Sequence, residues 1–264
     1  MISVITPVFN GERYMEACIN AVVEQQCSDI EHVIVDGASS DGTVNVIEEY
    51  AEKYEHIRWV SEKDNGQSDA LNRGLELARG NIVTVLNVDD YYEPNVLSQV
   101  VEFFKELPDP SFLVGNCNVW DNDGKFCYKN KPSKLGITDL LLGWKFYPHP
   151  VNPSAYFYHK SVHNIIGPYR QDMQTGQDLP FLLDVVQAAN VKYVDKDWGN
   201  WPLLEGALTD LDVNAGLAKQ RYQQVMTECY QKLPLTKKMI FLVKRPAYVF
   251  TRKCKNKIKR MTGN

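Results

Sequence analysis

No apolar run in this sequence approaches the roughly 18 to 20 residues that a membrane span needs. Met239 to Val243 and Leu140 to Gly143 are much too short. Nothing ahead of Ile2 has the basic and apolar regions of a secretory leader, so the expectation is a cytoplasmic chain that does not cross a bilayer. The six cysteines include no CxxC pair and no regular spacing, which argues against a disulfide framework or a zinc knuckle and for reduced thiols. Glycine-rich phosphate loops are missing too: there is no GxxxxGK[ST], and GxGxxG is excluded because no two of the 16 glycines lie two apart. Acidic residues are absent from Cys229 to Asn264, where 11 Lys and Arg stand. The net charge of −4 therefore joins a strongly acidic body to a basic end.

What is present suits one sizeable α/β domain: 264 residues, 44% of them hydrophobic. Short β-branched runs alternate with helical patterns through the first 120 residues, the form taken by a parallel sheet covered by helices. Strands are predicted at Ile2 to Thr6, His32 to Asp36, Ile57 to Ser61, Ile82 to Asn87 and Phe112 to Trp120. Helices are predicted at Glu12 to Gln25, Gly42 to Tyr54, Ser68 to Ala78 and Pro94 to Leu107, with Asp41 capping the second and Pro94 in the first turn of the fourth. From Asp121 to Pro153 the pattern loosens around an Asn122-Asp123-Gly124 turn and several prolines, as a specificity region would. A strand at Ser154 to Tyr158, a short helix from Lys160, a helix from Asp178 to Ala189 and a helical stretch from Val213 to Gln231 follow. The expected division is residues 1–210 as the main domain, with 1–120 and 121–210 as its two sides, and 211–264 as a helical basic tail.

Ligands of open parallel sheets bind beyond the carboxyl ends of the strands. Here those ends are acidic: Asp36 closes the second strand, Asp64 follows the third, and Asp89 and Asp90 follow the fourth. A single aspartate reads as a turn or helix cap. An adjacent pair after a buried apolar strand is different, because two carboxylates repel unless a cation or hydrogen bonds offset them. Mn²⁺ or Mg²⁺ is the economical partner, and it would bridge carboxylate to phosphate where no glycine loop exists.

Four segments now stand in order: Thr6-Pro7-Val8-Phe9-Asn10, Val35-Asp36-Gly37 through Thr43, Gly66-Gln67-Ser68 through Gly74, and Leu86 through Asp90. Together they resemble the signature of family 2 glycosyltransferases with the GT-A fold, a Rossmann-like, mostly parallel α/β sheet flanked by helices, here with a C-terminal helical basic extension. The resemblance implies inverting transfer of a sugar from a nucleotide diphosphate donor, UDP by the family's habit, to a saccharide or lipid-linked saccharide acceptor. It implies donor-binding roles for Asp36 at the base, for the Thr6 and Pro7 backbone, for Asp64 at the base or ribose, and for Asn72. Asp89 matches the acid near ribose and diphosphate, and Asp90 the metal ligand. Asn87 stands where a literal DxD has its first acid.

The family also places a catalytic base at the start of a helix, and Gly176-Gln177-Asp178-Leu179-Pro180 resembles that element with Asp178 as base. Gln177 and Pro180 depart from it, standing where acids are frequent. By pattern alone Asp178 reads as an N-cap, and the two readings can coexist. His149 could touch donor phosphate or acceptor, although a lone histidine beside prolines reads first as structural, and His159 with His163 lacks further zinc ligands. The basic end interleaves large apolar side chains with cations, a pattern suited to the inner surface of an anionic membrane rather than to nucleic acid. Two alternatives are a sugar nucleotidyltransferase, which would need a Gly-rich, Arg-containing loop where Pro7 to Glu12 stand, and a non-catalytic nucleotide-sugar binding module.

Overall fold

The computed structural model describes residues 1–173 and 176–245. Its first half is β1 (Ile2–Val8), α1 (Glu12–Val23), β2 (Ile30–Asp36), α2 (Thr43–Lys53), β3 (Ile57–Ser61), α3 (Gln67–Leu77) and β4 (Ile82–Val85). The second half is β5 (Tyr91–Tyr92), α4 (Val96–Lys105), β6 (Ser111–Trp120), β7 (Phe126–Asn130), α5 (Ile137–Leu140), β8 (Tyr156–His159), α6 (His163–Ile166), α7 (Asp178–Ala188), β9 (Asn190–Pro202), α8 (Leu208–Asn214) and α9 (Leu217–Lys232). Among the described residues the strands form a single sheet in the order β3-β2-β1-β4-β8-β6-β9-β5, with β7 paired to β6. Pairings β3-β2, β2-β1, β1-β4 and β6-β9 are parallel and have the longer registers, whereas β8 enters antiparallel between β4 and β6, and β7 and β5 pair antiparallel with β6 and β9.

All seven residues of β1 are buried, as befits a central strand covered on both faces. Ile5 joins the core under α3, α7 and α9, while Ile2, Val4 and Val8 join the core under α1, α2 and α4. Pro7 stands beyond Ile5–Val85, the last β1-β4 pair, where a strand interior tolerates a missing N–H. Asp41 accepts the Thr43 N–H at 3.0 Å, as its capping role requires, and its other oxygen takes the Glu12 N–H at 3.2 Å. Glu12 in turn accepts the Gly42 N–H at 2.9 Å, so the starts of α1 and α2 are clasped together just past the strand ends.

Several expectations are corrected. α4 begins at Val96 rather than Pro94, because Asn95 takes a left-handed conformation (φ 59°) and Gln25, arriving from α1, accepts the Val96 and Leu97 N–H groups. β4 ends at Val85, where the Asn87 to Asp90 turn starts. The strand expected from Ser154 starts at Tyr156, since the Asn152 side chain accepts the Ser154 N–H and closes a 3-10 turn over Pro153–Ala155. β9 runs for 13 residues where no strand was predicted, and β7 pairs back on β6 through the Asn122-Gly124 turn, with Gly124 at φ +75°. The basic sequence from residue 246 onward lies outside the described residues. Among those described, no helix is long and apolar enough to cross a membrane, and Cys18, Cys27, Cys117, Cys127 and Cys229 carry free thiols.

α3 approaches β1 so closely at Gly74 that a Cβ there would overlap Ile5 Cγ2, and Ile5 is fully buried. Gly74→Ala should therefore destabilise the fold by about 1–3 kcal/mol, read as a lower urea midpoint at unchanged slope.

Candidate active site

β4 delivers Asp89 and Asp90 into a tight turn in which the Asp90 N–H donates to the Asn87 carbonyl at 3.0 Å. Asp90 is 2% exposed. Its Oδ2 accepts one N–H from the Asn87 amide and one from the Asn152 amide, each at 2.8 Å. Neighbours fix both amides. Gln67 Nε2 donates to Asn87 Oδ1 at 3.0 Å, and Ser154 donates from its N–H and its Oγ to Asn152 Oδ1, so each amide must turn its NH₂ toward Asp90. Ser154 itself depends on Gly199 of β9, where any Cβ would overlap its Oγ.

Asp90 Oδ1, by contrast, is buried with no hydrogen-bond partner. Burial first, then the charge of Asp89, pushes the Asp90 carboxyl well above the usual carboxylate range; the Asn152 and Asn87 amides oppose this, and Asp178 adds to it. Burial raises Asp89 as well.

Asp178 opens α7 as its first helical residue. Gln177 holds the cap position without a side-chain cap bond, so Asp178 is not the N-cap that the pattern alone suggested. Its carboxylate is half-buried above aromatic rings: Tyr156 stacks on Phe181 at 6.0 Å, and Tyr158 and Tyr169 lie 4.9 and 5.1 Å from Phe181. This water-poor setting pushes the Asp178 carboxyl up to about 6, against a 3.4 Å hydrogen bond donated by the Tyr156 hydroxyl. Gln177, where an acid had been expected, is 2% exposed with its Oε1 unpartnered.

The remaining predicted residues divide. Asp64 lies against the edge of β2, where a Cβ on Gly37 would come within 2.7 Å of its Oδ2, and its Oδ1 accepts the Gly66 N–H at 2.9 Å. Asp36 is fully enclosed: Ser39 donates to it from both N–H and Oγ, and Ser61 Oγ donates at 2.6 Å. In this conformation it shapes the loop that carries Ala38 at φ +63° rather than offering a free edge to a base. Thr6 turns into the core, its hydroxyl 2.9 Å from His32 Nε2, and Pro7 is buried beside it; Phe9, 64% exposed, and Asn10 are the solvent-facing residues beyond that strand end. Asn72 binds Tyr169 at both ends of its amide, donating to the carbonyl and accepting the N–H, so it braces the approach to α7 and its amide is not presented to a donor. His149 is also structural: it is buried, held neutral by that burial, and its Nε2 lies 2.9 Å from the Leu140 carbonyl.

What the sequence did not show is that the amides of Gln67, Asn87 and Asn152 serve Asp90. The acid pair itself was the signal, because a buried carboxylate demands donors. A divalent cation fits this donor set, since hard carboxylate oxygens suit Mn²⁺ or Mg²⁺ and Asp90 Oδ1 lacks any other partner. Among the described residues no three His, Cys, Asp or Glu side chains form a complete cage, so a cation here would draw further oxygens from its ligand.

The model of the family described as "Glycosyl transferase family 2" matches residues 3–165, which contain the clasped strand ends and both acids of the pair. The chain belongs to glycosyl transferase family 2. Family 2 relatives include a PGL/p-HBAD biosynthesis glycosyltransferase of Mycobacterium bovis, 29% identical over 171 residues, covering 64% of this chain and 63% of that protein. A chondroitin synthase of Escherichia coli is 22% identical across 90% of this chain, which spans 34% of it. An uncharacterized glycosyltransferase of Rickettsia bellii is 31% identical over 53% of the chain, equal to 20% of that protein, so the chain spans less than two thirds of each of these relatives. Solved structures share the GT-A fold: S. aureus TarS 1-349 in complex with UDP-GlcNAc has a TM-score of 0.70 at 18% identity, covering 95% of this chain and 72% of that one. A mannosyltransferase from Pyrobaculum calidifontis in complex with GDP-Man and Mn2+ has a TM-score of 0.62 at 17% identity, covering 100% of this chain and 76% of that one.

A carboxyl whose folded pKa is raised adds stability below its unfolded value and loses it as pH climbs through the folded one. Asp90→Asn in chelator-treated protein should therefore unfold later than wild type at pH 7, with the gain disappearing below about pH 4. Thermal denaturation at both pH values measures it, and a lower midpoint at pH 7 would contradict it.

Proposed function

We propose that this chain transfers a sugar, with inversion at its anomeric carbon, from a nucleotide diphosphate donor to a saccharide or lipid-linked saccharide acceptor. The observation carrying this reading is the pairing of two acids with different tasks in one water-poor space: Asp90, buried with an unpartnered oxygen, and Asp178, raised to about 6. Perturbed carboxylates with divided environments are how one site supplies both a charge-binding group and a proton acceptor.

The loop after β1, the Asp36-organised loop, Asp64 and the start of α3 surround the donor's nucleoside in this reading, and Asp89 faces ribose and diphosphate. Asp90 Oδ1, with Asp89 beside it, would hold Mn²⁺ or Mg²⁺, which when bound offsets charge on the diphosphate. Asp178 accepts the proton of the acceptor hydroxyl as that oxygen bonds to the anomeric carbon. The bond from this carbon to the diphosphate oxygen breaks on the opposite face, its electron pair leaving with the diphosphate, and one displacement inverts the centre. Tyr156 holds the Asp178 carboxylate in place, and the rings beneath exclude the water that would otherwise attack the donor. The UDP-GlcNAc held by the TarS structure, and the GDP-Man and Mn2+ held by the mannosyltransferase, support a nucleotide-sugar reading. UDP is the donor nucleotide we favour. A sugar nucleotidyltransferase is disfavoured by Pro7 to Glu12, which lack its basic glycine loop.

Base catalysis needs ionised Asp178, so kcat/KM should fall below about pH 6, the value to which its carboxyl is raised. Asp178→Asn should lose about 10²–10⁴-fold in kcat with little change in donor KM. Retention of full transfer activity by this variant would remove Asp178 from the role. Chelation should abolish donor turnover, Mn²⁺ or Mg²⁺ should restore it in wild type, and neither should restore it in Asp90→Ala; a screen of nucleotide sugars for donor hydrolysis reads all three.

A further inference from the structure

After Leu233 and Pro234 the chain forms one more helix, over 235–245, and its polarity is inverted. The side turned to the protein carries the lysines. Lys244 Nζ donates to Asp139 Oδ1 at 2.8 Å and to Thr138 Oγ1 at 3.0 Å, Lys238 Nζ donates to the Gln231 carbonyl at 2.8 Å, and Phe241 packs on Tyr230 with ring centres 5.2 Å apart. The side turned to solvent is apolar: Leu235 is 79% exposed, Met239 67%, Leu242 54%, Val243 75% and Ile240 48%. Residues 235, 239, 242 and 243 follow the i, i+4, i+7, i+8 spacing of a single helical face. An ordinary surface helix has the opposite arrangement, and nothing among the described residues covers this face.

Charge narrows what the partner can be. No Asp or Glu occurs from Cys229 to Asn264; Arg245 is exposed at the end of this stretch and Lys237 lies on the side of Lys244, and Arg252, Lys253, Lys255, Lys257, Lys259 and Arg260 follow in sequence. A second copy docked through the same helix would bring the same cations against them. Nucleic acid would satisfy the cations but leave five large apolar side chains in water. An anionic bilayer surface satisfies both, taking the apolar face into the acyl boundary and the cations at its headgroups. Among the described residues no helix is long and apolar enough to span the bilayer. We propose that the outer face of the 235–245 helix, formed by Leu235, Met239, Leu242 and Val243, docks this protein on an anionic lipid surface. This goes beyond the proposed chemistry and does not depend on it. The Lys244–Asp139 ion pair connects that face to α5, whose Leu140 carbonyl meets His149.

The test is co-sedimentation of the full chain with phosphatidylglycerol-containing vesicles and with pure phosphatidylcholine vesicles, with sedimentation equilibrium in parallel. Wild type should partition onto the anionic vesicles only. Met239→Glu/Val243→Glu should lower that partitioning by about tenfold or more while its thermal unfolding matches wild type. Lys253→Gln/Lys255→Gln/Lys257→Gln/Lys259→Gln, which leaves the apolar face intact, should bind more weakly and with a flatter dependence on salt. The proposal is overturned if wild type stays in the supernatant with anionic vesicles, if it binds both vesicle types equally, or if the double glutamate variant binds like wild type. A dimer that the glutamate variant dissociates would overturn it too.

Discussion

Three carboxylates, Asp89, Asp90 and Asp178, share a space with little water, and much of the local structure follows from keeping them there. Like charges in a poor dielectric favour unfolding or protonation unless donors or cations answer them. The answer here is layered. Asn87 and Asn152 donate to one oxygen of Asp90, Gln67 and Ser154 orient those amides, and Gly199 leaves the room that Ser154 occupies. Five residues from four separated stretches of sequence thus serve one carboxylate, and its second oxygen is still left for something the chain does not provide. A fold built only for stability would have placed an apolar or amide side chain at this position.

The donor side was legible because a parallel sheet writes its plan into sequence order. Each strand is a short apolar run, the second, third and fourth lead to an acid, and the interval between runs is about one helix long; β3 was read with the bounds it has. Asp178 was singled out by resemblance to the family, because the pattern alone read it as an N-cap, the position Gln177 holds. The contacts that give these acids their character were not legible. Asn72 meets Tyr169 across 97 residues, Gln25 caps a helix 71 residues away, and Asn152 reaches Asp90 across 62. No local propensity announces such bonds. Asp36 illustrates the converse: its position was read well, but Ser39 and Ser61 enclose it in a way that only tertiary structure reveals.

β9 escaped notice because Lys192, Asp195, Lys196 and Asp197 interrupt its apolar alternation. The structure explains the two acids: Lys131 pairs with Asp195 at 2.7 Å and Lys129 with Asp197 at 2.5 Å, so the acids of β9 meet lysines on and just past β7, the other strand paired with β6, at a wet margin of the sheet. The basic end was misleading in a related way. Its composition showed charge and apolar bulk, but which of them faces outward is decided by the docking of Phe241 and Lys244.

The position of β8 bears on how such a chain is made. Strands β3, β2, β1 and β4 are complete once Val85 has been synthesised, but the outer side of β4 is covered only by residues 156–159. At about 5–20 residues per second, the roughly 70 intervening residues take on the order of several seconds to add. Throughout that interval the nascent chain carries an unpaired strand edge, Ile82-Val83-Thr84-Val85, with every side chain destined for burial and none charged. Such an edge templates association with other chains. Vectorial synthesis therefore gives this fold a window of vulnerability that ends when its own later strand arrives, and chaperone demand should be concentrated there.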